Sequence, residues 1–325
     1  MSFVHQDGEF GQLLDIVARE TGIAAALIEK DYWVTHALWA LHGSGLEIWF
    51  KGGTSLLKGF AIIQRFSEDL DLMIQHGSVE GLPEVINWTS TNKGPVAKRR
   101  AFYDVLAEVL VIPDVRVELD RSRIDKQARG AEYLGHYPGV LLGELTPAFS
   151  PFIRLEVGRA RVVPYVTRPI SSFVHDYVVR RGMLGRYDDN RLAGLRCVHP
   201  LVTLFEKLDA MSRRYARDEM EPDTFVRHYE DVAGIIRAAA TLPEAGMTAE
   251  ELVKDMLDQN DIAALPSPSE PALTLADGEK RAAVERAYAK IGPMFWSPRM
   301  PLVEACATIR DWLERPPGSA WSSCT

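Results

Sequence analysis

The chain has no apolar run approaching the ~18 residues that a membrane-spanning helix needs, so no such helix is expected. Its opening residues, MSFVHQDGEF, have neither the basic start nor the apolar stretch of a secretory leader, and a cytoplasmic location is expected. Cysteine is scarce. Cys197, Cys306 and Cys324 are far apart and odd in number, which argues against a disulfide framework, and no pair has zinc-ligand spacing. Free thiols in a reducing compartment are the expectation. No internal repeat is present, which excludes a solenoid. Excess positive charge is also missing: the net charge is −8. That argues against a protein that coats nucleic acid along its whole surface. The balance is uneven, however, because residues 93–186 carry 16 Lys and Arg against 10 Asp and Glu, a local +6. Lys98, Arg99, Arg100, Arg121, Arg123, Lys126, Arg129, Arg180 and Arg181 fall in that stretch, where they either track an RNA backbone or form a solvated surface.

What is present fits an ordinary folded protein, with 46% hydrophobic and 25% charged residues over 325 positions. That length allows two domains, or one with a helical extension. Residues 8–42 read as two helices, with Leu13, Leu14, Ile16, Val17, Ile23, Ala26 and Leu27 at helical spacing and Gly22 between them. Residues 46–74 read as strand, turn, short helix and strand. Residues 75–96 are rich in Gly, Pro, Ser, Thr and Asn and read as a loop, and 97–112 as an amphipathic helix. Strand alternation follows at 115–119 (VRVEL) and 153–157 (IRLEV), and a further strand is expected at 162–166. After Pro169 helical periodicity takes over, at 172–179, 201–215, 224–240, 249–258, 278–291 and 301–313. LPSPSEP at 265–271 reads as a loop or hinge, and the tail RPPGSAWSSCT as poorly ordered. The expected division is N-terminal helices at 1–45, an α+β core at 46–168 and a mostly helical region at 169–325.

The chemistry concentrates in LEIWFKGGTSLLKGFAIIQRFSEDLDLMI, residues 46–74. Asp69 and Asp71 lie two apart on a strand, so both carboxylates share one face. Like charges that close repel, and a divalent cation relieves the conflict. Gly52 and Gly53 let a backbone approach phosphate closely, and Thr54 and Ser55 either donate to phosphate or cap the helix that follows. Lys51 precedes the turn, and Ser67 stands close to the carboxylates. Turn and carboxylate pair together read as a site for a metal-bound nucleoside triphosphate. A third carboxylate is open between Glu118 and Glu156, each on an alternating strand. Lys30 and Asp31 read as structural, tying the N-terminal helices to the core.

These residues resemble a known family. GGTSLL (52–57) followed by RFSEDLDL (65–72) is similar to the signature of the AbiEii/MenT nucleotidyltransferase toxins, which belong to type IV toxin–antitoxin and phage-defence systems within the polymerase-β-like superfamily. IEKDYWV (28–34) resembles the entry helix of these toxins. PFIRLEVGRAR (151–161) resembles the strand with their third metal-facing carboxylate, which falls on Glu156. PLVTLFEKLDAMSRR (200–214) and FVRHYEDV (225–232) resemble helical motifs with a functional Lys and Asp, which fall on Lys207 and Asp231. The resemblance runs from about residue 28 to about 235.

It implies a polymerase-β-like nucleotidyltransferase core with a mixed sheet and a mostly helical C-terminal region. It further implies an enzyme of the EC 2.7.7 type that is Mg²⁺-dependent (Mn²⁺ can substitute) and moves a nucleotide from an NTP to RNA. The foremost acceptor would be the 3′ end of tRNA, whose modification blocks translation. In that picture Asp69, Asp71 and Glu156 hold metal. Gly52, Gly53, Thr54, Ser55, Ser67 and Lys207 bind nucleotide. Asp231 accepts a hydrogen bond from base or ribose, or orients Lys207. The implied partner is an AbiEi-like, DNA-binding antitoxin. Transfer to a protein or small-molecule acceptor, and an NTP-binding regulator without turnover, are the alternatives.

Overall fold

The computed structural model of the protein describes residues 2–67, 69–147 and 149–315. Cys324 and the tail from 316 onward lie outside the described residues. The chain forms two compact units. The first comprises Met1–Gly59, Ser67–Ala160 and Thr167–Cys197; the second comprises Phe60–Phe66, Arg161–Val166 and Val198–Thr325.

The first unit opens with two helices, α1 (Phe10–Thr21) and α2 (Ala25–Gly43). Gly22 ends α1 at φ +72°, in the left-handed region that a glycine enters without Cβ strain. α2 is buried almost all round, including three charged residues in a row, Glu29, Lys30 and Asp31. Each has a partner, as buried charge requires. Glu29 accepts from the Val140 and Leu141 amides at 2.7 and 2.8 Å. Lys30 donates to the Ser150 and Phe152 carbonyls. Asp31 accepts from the Phe173 amide at 3.0 Å and from Lys58. The two residues read from the sequence as ties to the core make such ties.

A seven-stranded mixed sheet follows, built from β1 (Glu47–Lys51), β2 (Asp69–Gln75), β3 (Arg116–Asp120), β4 (Gly130–His136), β5 (Ile153–Gly158), β6 (Tyr165–Ile170) and β7 (Leu192–Val198), in the order β3-β4-β5-β2-β1-β7-β6. A short helix, α3 (Gly52–Lys58), joins β1 to the approach to β2; α4 (Lys93–Val109) and α5 (Phe173–Arg180) complete the unit. β2 runs antiparallel to β1 and parallel to β5, while β7 runs parallel to β1. The period of two decides what each strand buries. On β5, Ile153, Leu155 and Val157 enter the core and Arg154 and Glu156 face the other way; on β4, Ala131 and Tyr133 are buried. Burying each large side chain contributes about 1.5–3 kcal/mol, and the Tyr133 hydroxyl keeps a partner by donating to the Tyr103 carbonyl at 2.8 Å.

The second unit is helical: α6 (Pro200–Tyr215), α7 (Arg227–Ala238), α8 (Ala249–Asp258), α9 (Pro271–Thr274), α10 (Gly278–Lys290) and α11 (Leu302–Leu313). Phe205 of α6, Val232 and Ile235 of α7 and Ile309 and Trp312 of α11 are buried. The helix starts carry their own signals. Pro200 opens α6, Thr248 and Glu251 form a reciprocal capping box at α8, and Asp277 accepts from two amides at α10.

The α+β class agrees with the sequence, but three elements differ. The expected strand at 162–166 lies instead at Tyr165–Ile170. β4 and β7 are not anticipated, and β7 falls where only helices are expected. Their sequences, GAEYLGH and LAGLRCV, carry glycine, alanine and charge, which lower strand propensity. Pairing with neighbouring strands supplies what local preference lacks. Cys197 and Cys306 are buried free thiols, pushed up to about 12 by burial.

Candidate active site

The sheet register aligns a row of ionisable side chains in the first unit. Lys51 of β1 stands opposite Asp71 of β2, Asp71 opposite Glu156 of β5, Glu156 opposite Glu132 of β4, and Glu132 opposite Asp120 of β3. Directly paired residues point to the same face, so Asp71, Glu156 and Glu132 are consecutive carboxylates on one surface. Asp69 lies two residues along on that face, opposite Arg154. The Arg154 guanidinium stands 3.4 Å from Asp69 and 3.1 Å from Glu132, so it holds two carboxylates at once. Glu118, the other candidate for a third carboxylate, lies on the edge strand and is engaged by Arg116 and His136. The structure thus places Glu156, and not Glu118, beside Asp71.

The glycine turn fits closely against this row. Gly52 sits at φ +74°, and a Cβ there would lie 1.7 Å from Asp71 Oδ2. Only a residue without a side chain lets the backbone come so near the carboxylate. Gly53 follows it into α3 and is buried. Thr54 and Ser55 are also buried. The Thr54 hydroxyl donates to the Asp69 carbonyl at 2.6 Å and the Ser67 carbonyl at 3.0 Å, which clamps the start of β2 to the turn. The sequence leaves Thr54 either donating to phosphate or capping the helix; here its hydroxyl is engaged by the strand. Ser55 faces the Cys197 thiol, and Ser67 is buried beside the carboxylate strand.

Electrostatics follow from this crowding. Burial pushes the Glu156 carboxyl up, and the Asp71, Asp69 and Glu132 carboxylates push it further, to about 8, with a hydrogen bond to Asp71. Three carboxylates crowd the Glu156 carboxyl, and a divalent cation among them would offset that repulsion. Among the described residues no group of three or more His, Cys, Asp and Glu is arranged to hold a metal ion. Mg²⁺ does not demand one. It binds through one or two carboxylates and completes its shell with water and substrate phosphates. The hard-oxygen pair of Asp71 and Glu156, with Asp69 one step along the strand, fits that donor set.

Asp71, Glu156 and Glu132 line a cleft of about 360 Å³, together with Lys51, Arg123, Arg129 and Arg159. Other cations of the basic stretch have different tasks. Arg99 is fully buried and donates to the carbonyls of Asn87, Ser90 and Gln127, so it braces loops and cannot track RNA. Arg121 pairs with Asp104, and Arg180 and Arg181 both pair with Glu20.

Lys207 and Asp231 lie together in the second unit. Asp231 is fully buried and receives two hydrogen bonds from Arg65, at Oδ1 (2.8 Å) and Oδ2 (2.7 Å), while Lys207 Nζ stands 3.0 Å from the same Oδ2. Burial alone would raise the Asp231 carboxyl, yet the Arg65 and Lys207 charges hold it well below the usual carboxylate range. His228 is lowered by burial and by Lys207, so its neutral Nδ1, 3.2 Å from Nζ, accepts from the lysine. Of the two roles open to Asp231, orienting Lys207 matches this geometry.

Two participants escape the sequence reading. Glu132 lies in AEYLGHY, where Ala131 and Tyr133 alternate with Glu132 and Leu134; that period of two was the available signal. Arg65 stands in the RFSEDLDL segment, but its partner is 166 residues away and no local pattern reveals the pairing.

Residues 36–315 match the family model described as nucleotidyl transferase AbiEii toxin, type IV TA system. No curated protein matches the chain. Among solved structures, the crystal structure of JHP933 from Helicobacter pylori is similar at a TM-score of 0.44 and 12% identity, covering 89% of this chain and 90% of that one.

Proposed function

We propose, from the premise that the chain belongs to the AbiEii family of nucleotidyl transferase toxins, that it moves a nucleotide from a Mg²⁺-bound NTP to the 3′ end of an RNA, foremost tRNA. The observation that carries this reading is the Asp71–Glu156 pair at the wall of the cleft, with Gly52 packed against Asp71. In this reaction the acceptor 3′-oxygen forms a bond to the α-phosphorus. The bond from that phosphorus to the α,β-bridging oxygen breaks, pyrophosphate leaves, and the hydroxyl proton passes to water. Asp69, Asp71 and Glu156 would hold the metal, which supplies charge neutralisation at the phosphates and activates the attacking oxygen. Gly52 and Gly53 keep the backbone low enough for phosphate oxygens to approach. Thr54 fixes the strand that presents the two aspartates, with Ser55 and Ser67 packed around that clamp. Within the second unit, Asp231 and Arg65 hold Lys207, the cation that the family resemblance assigns to nucleotide.

A 3′ end capped by an added nucleotide cannot be aminoacylated, so translation and growth stop. An antitoxin encoded with the protein is the matching partner, and phage defence in the cytoplasm the matching setting. The test is incubation of purified protein and Mg²⁺ with total tRNA and each of four labelled NTPs in turn. Label in tRNA from one NTP, lost in Asp71→Ala, is the expected result. Label in protein or in a small molecule with tRNA untouched would overturn the acceptor, and absence of pyrophosphate release would overturn the reaction.

A further inference from the structure

The register of the sheet separates two kinds of phosphate-binding group around the carboxylate row. Gly52 follows Lys51 directly, so the glycine turn lies on the β1 side of Asp71. Because β1 is antiparallel to β2 and β2 parallel to β5, the chain beyond Lys51 heads toward the Asp69 and Arg154 end of the row. Arg159 follows the opposite end of β5, and Arg129 precedes the paired end of β4. The two are locked together, with the Arg159 amide donating to the Arg129 carbonyl at 2.9 Å. They stand about 10 Å along the strands from the Glu156–Glu132 pair, three residues on, since each residue advances ~3.3 Å. Arg123 ends the short turn after β3, is 58% exposed and lies 4.0 Å from Glu132. All three line the cleft that Asp71 and Glu156 also line. The arginines and the glycine turn are therefore on opposite sides of the carboxylates, both across the sheet and along it.

Phosphoryl chemistry makes this opposition meaningful. In an in-line displacement the attacking oxygen and the departing pyrophosphate are on opposite sides of the α-phosphorus. If the triphosphate lies on the glycine side, as the reading above has it, the acceptor must arrive from the arginine side. We infer that Arg123, Arg129 and Arg159 form the acceptor subsite and grip the phosphodiester backbone of a single-stranded RNA 3′ end. Planar guanidinium groups suit phosphate oxygens through paired hydrogen bonds. Three of them in one cleft match an acceptor with several consecutive phosphates; a serine or tyrosine side chain or a small alcohol carries none. The inference rests on the proposed nucleotidyl transfer and adds the residues that select its acceptor.

The experiment uses the full chain and total tRNA. Wild type is compared with the triple variant Arg123→Ala/Arg129→Ala/Arg159→Ala and with Arg180→Ala/Arg181→Ala, a charge control whose arginines pair with Glu20. Transfer rates are measured against tRNA concentration at several salt concentrations, NTP affinity is measured by calorimetry, and melting confirms folding. The triple variant is expected to raise the KM for tRNA at least tenfold while leaving the NTP Kd within twofold. Its log–log salt dependence should flatten by about 2, since each single-strand phosphate contact contributes about 0.7. The control should match wild type. An unchanged tRNA KM and salt slope would overturn the subsite, as would a loss of NTP affinity with the tRNA KM intact, because the arginines would then hold the triphosphate. If wild type labels no RNA at all, the RNA acceptor fails and the subsite falls with it; if it also releases no pyrophosphate, the nucleotidyl-transfer reading itself fails.

Discussion

Replacing Gly52 with alanine tests the site through one carbon atom. Two effects separate cleanly. A Cβ at φ +74° costs about 1–2 kcal/mol of backbone strain wherever it occurs. The same Cβ would lie 1.7 Å from Asp71 Oδ2, against the 3.0 Å that real contacts respect, so the carboxylate must retreat by about 1.3 Å. A misplacement of about 1 Å in a reacting geometry can lower a rate ~100-fold, equivalent to ~2.7 kcal/mol of barrier. Gly22→Ala is the matched control: φ there is +72° with nothing within 4 Å of the new carbon. Both variants should melt a few degrees below wild type. Only Gly52→Ala should lose transfer, measured as labelled nucleotide entering tRNA under saturating NTP. Equal activity of the two variants would refute the reasoning, because it would mean that the close approach of Gly52 to Asp71 has no part in the chemistry.

Arg65→Met removes the bidentate partner of fully buried Asp231 and leaves a carboxylate that Lys207 alone must balance; a loss of about 3–5 kcal/mol is expected in denaturant unfolding. Glu156 gives a pH signature. Its folded pKa of about 8 lies above the ordinary 4.5, so the folded state holds the extra proton between those values, and stability falls as pH rises through that window. Glu156→Gln, which needs no proton, should melt above wild type at pH 8, with the gap closing near pH 5; a gap that widens toward pH 5 would reverse the sign and the argument. Mg²⁺ should raise the wild-type melting temperature at pH 8 by relieving the same crowding, and Asp71→Ala should show no such rise. An equal rise in that variant would place the cation elsewhere.

Much of the first unit was legible because it obeys local rules. The Asp69-x-Asp71 spacing places both carboxylates on one face for any strand, and β2 is a strand. The glycine pair announces the turn by which β1 enters α3, and the apolar periodicity of 8–42 gives two helices with Gly22 between them. The amphipathic helices of the second unit emerge from the same 3.6-residue period. β4 and β7 did not emerge, because GAEYLGH and LAGLRCV take their strand character from the neighbours they pair with. The basic stretch was legible as charge but not as function: Arg99 and Arg129 look alike in sequence, yet one is buried under three loop carbonyls and the other lines a cleft.

The chain by itself determined its α+β character, its family, the paired aspartates and the tight turn that precedes them. These follow from spacing, and spacing is a property of neighbours in sequence. Only the tertiary structure decided that Glu156 and not Glu118 stands beside Asp71, that Glu132 extends the row, and that Arg65 reaches Asp231 from 166 residues away. Those relations depend on strand register and on buried charges finding partners, and both are settled only when distant segments are brought into contact.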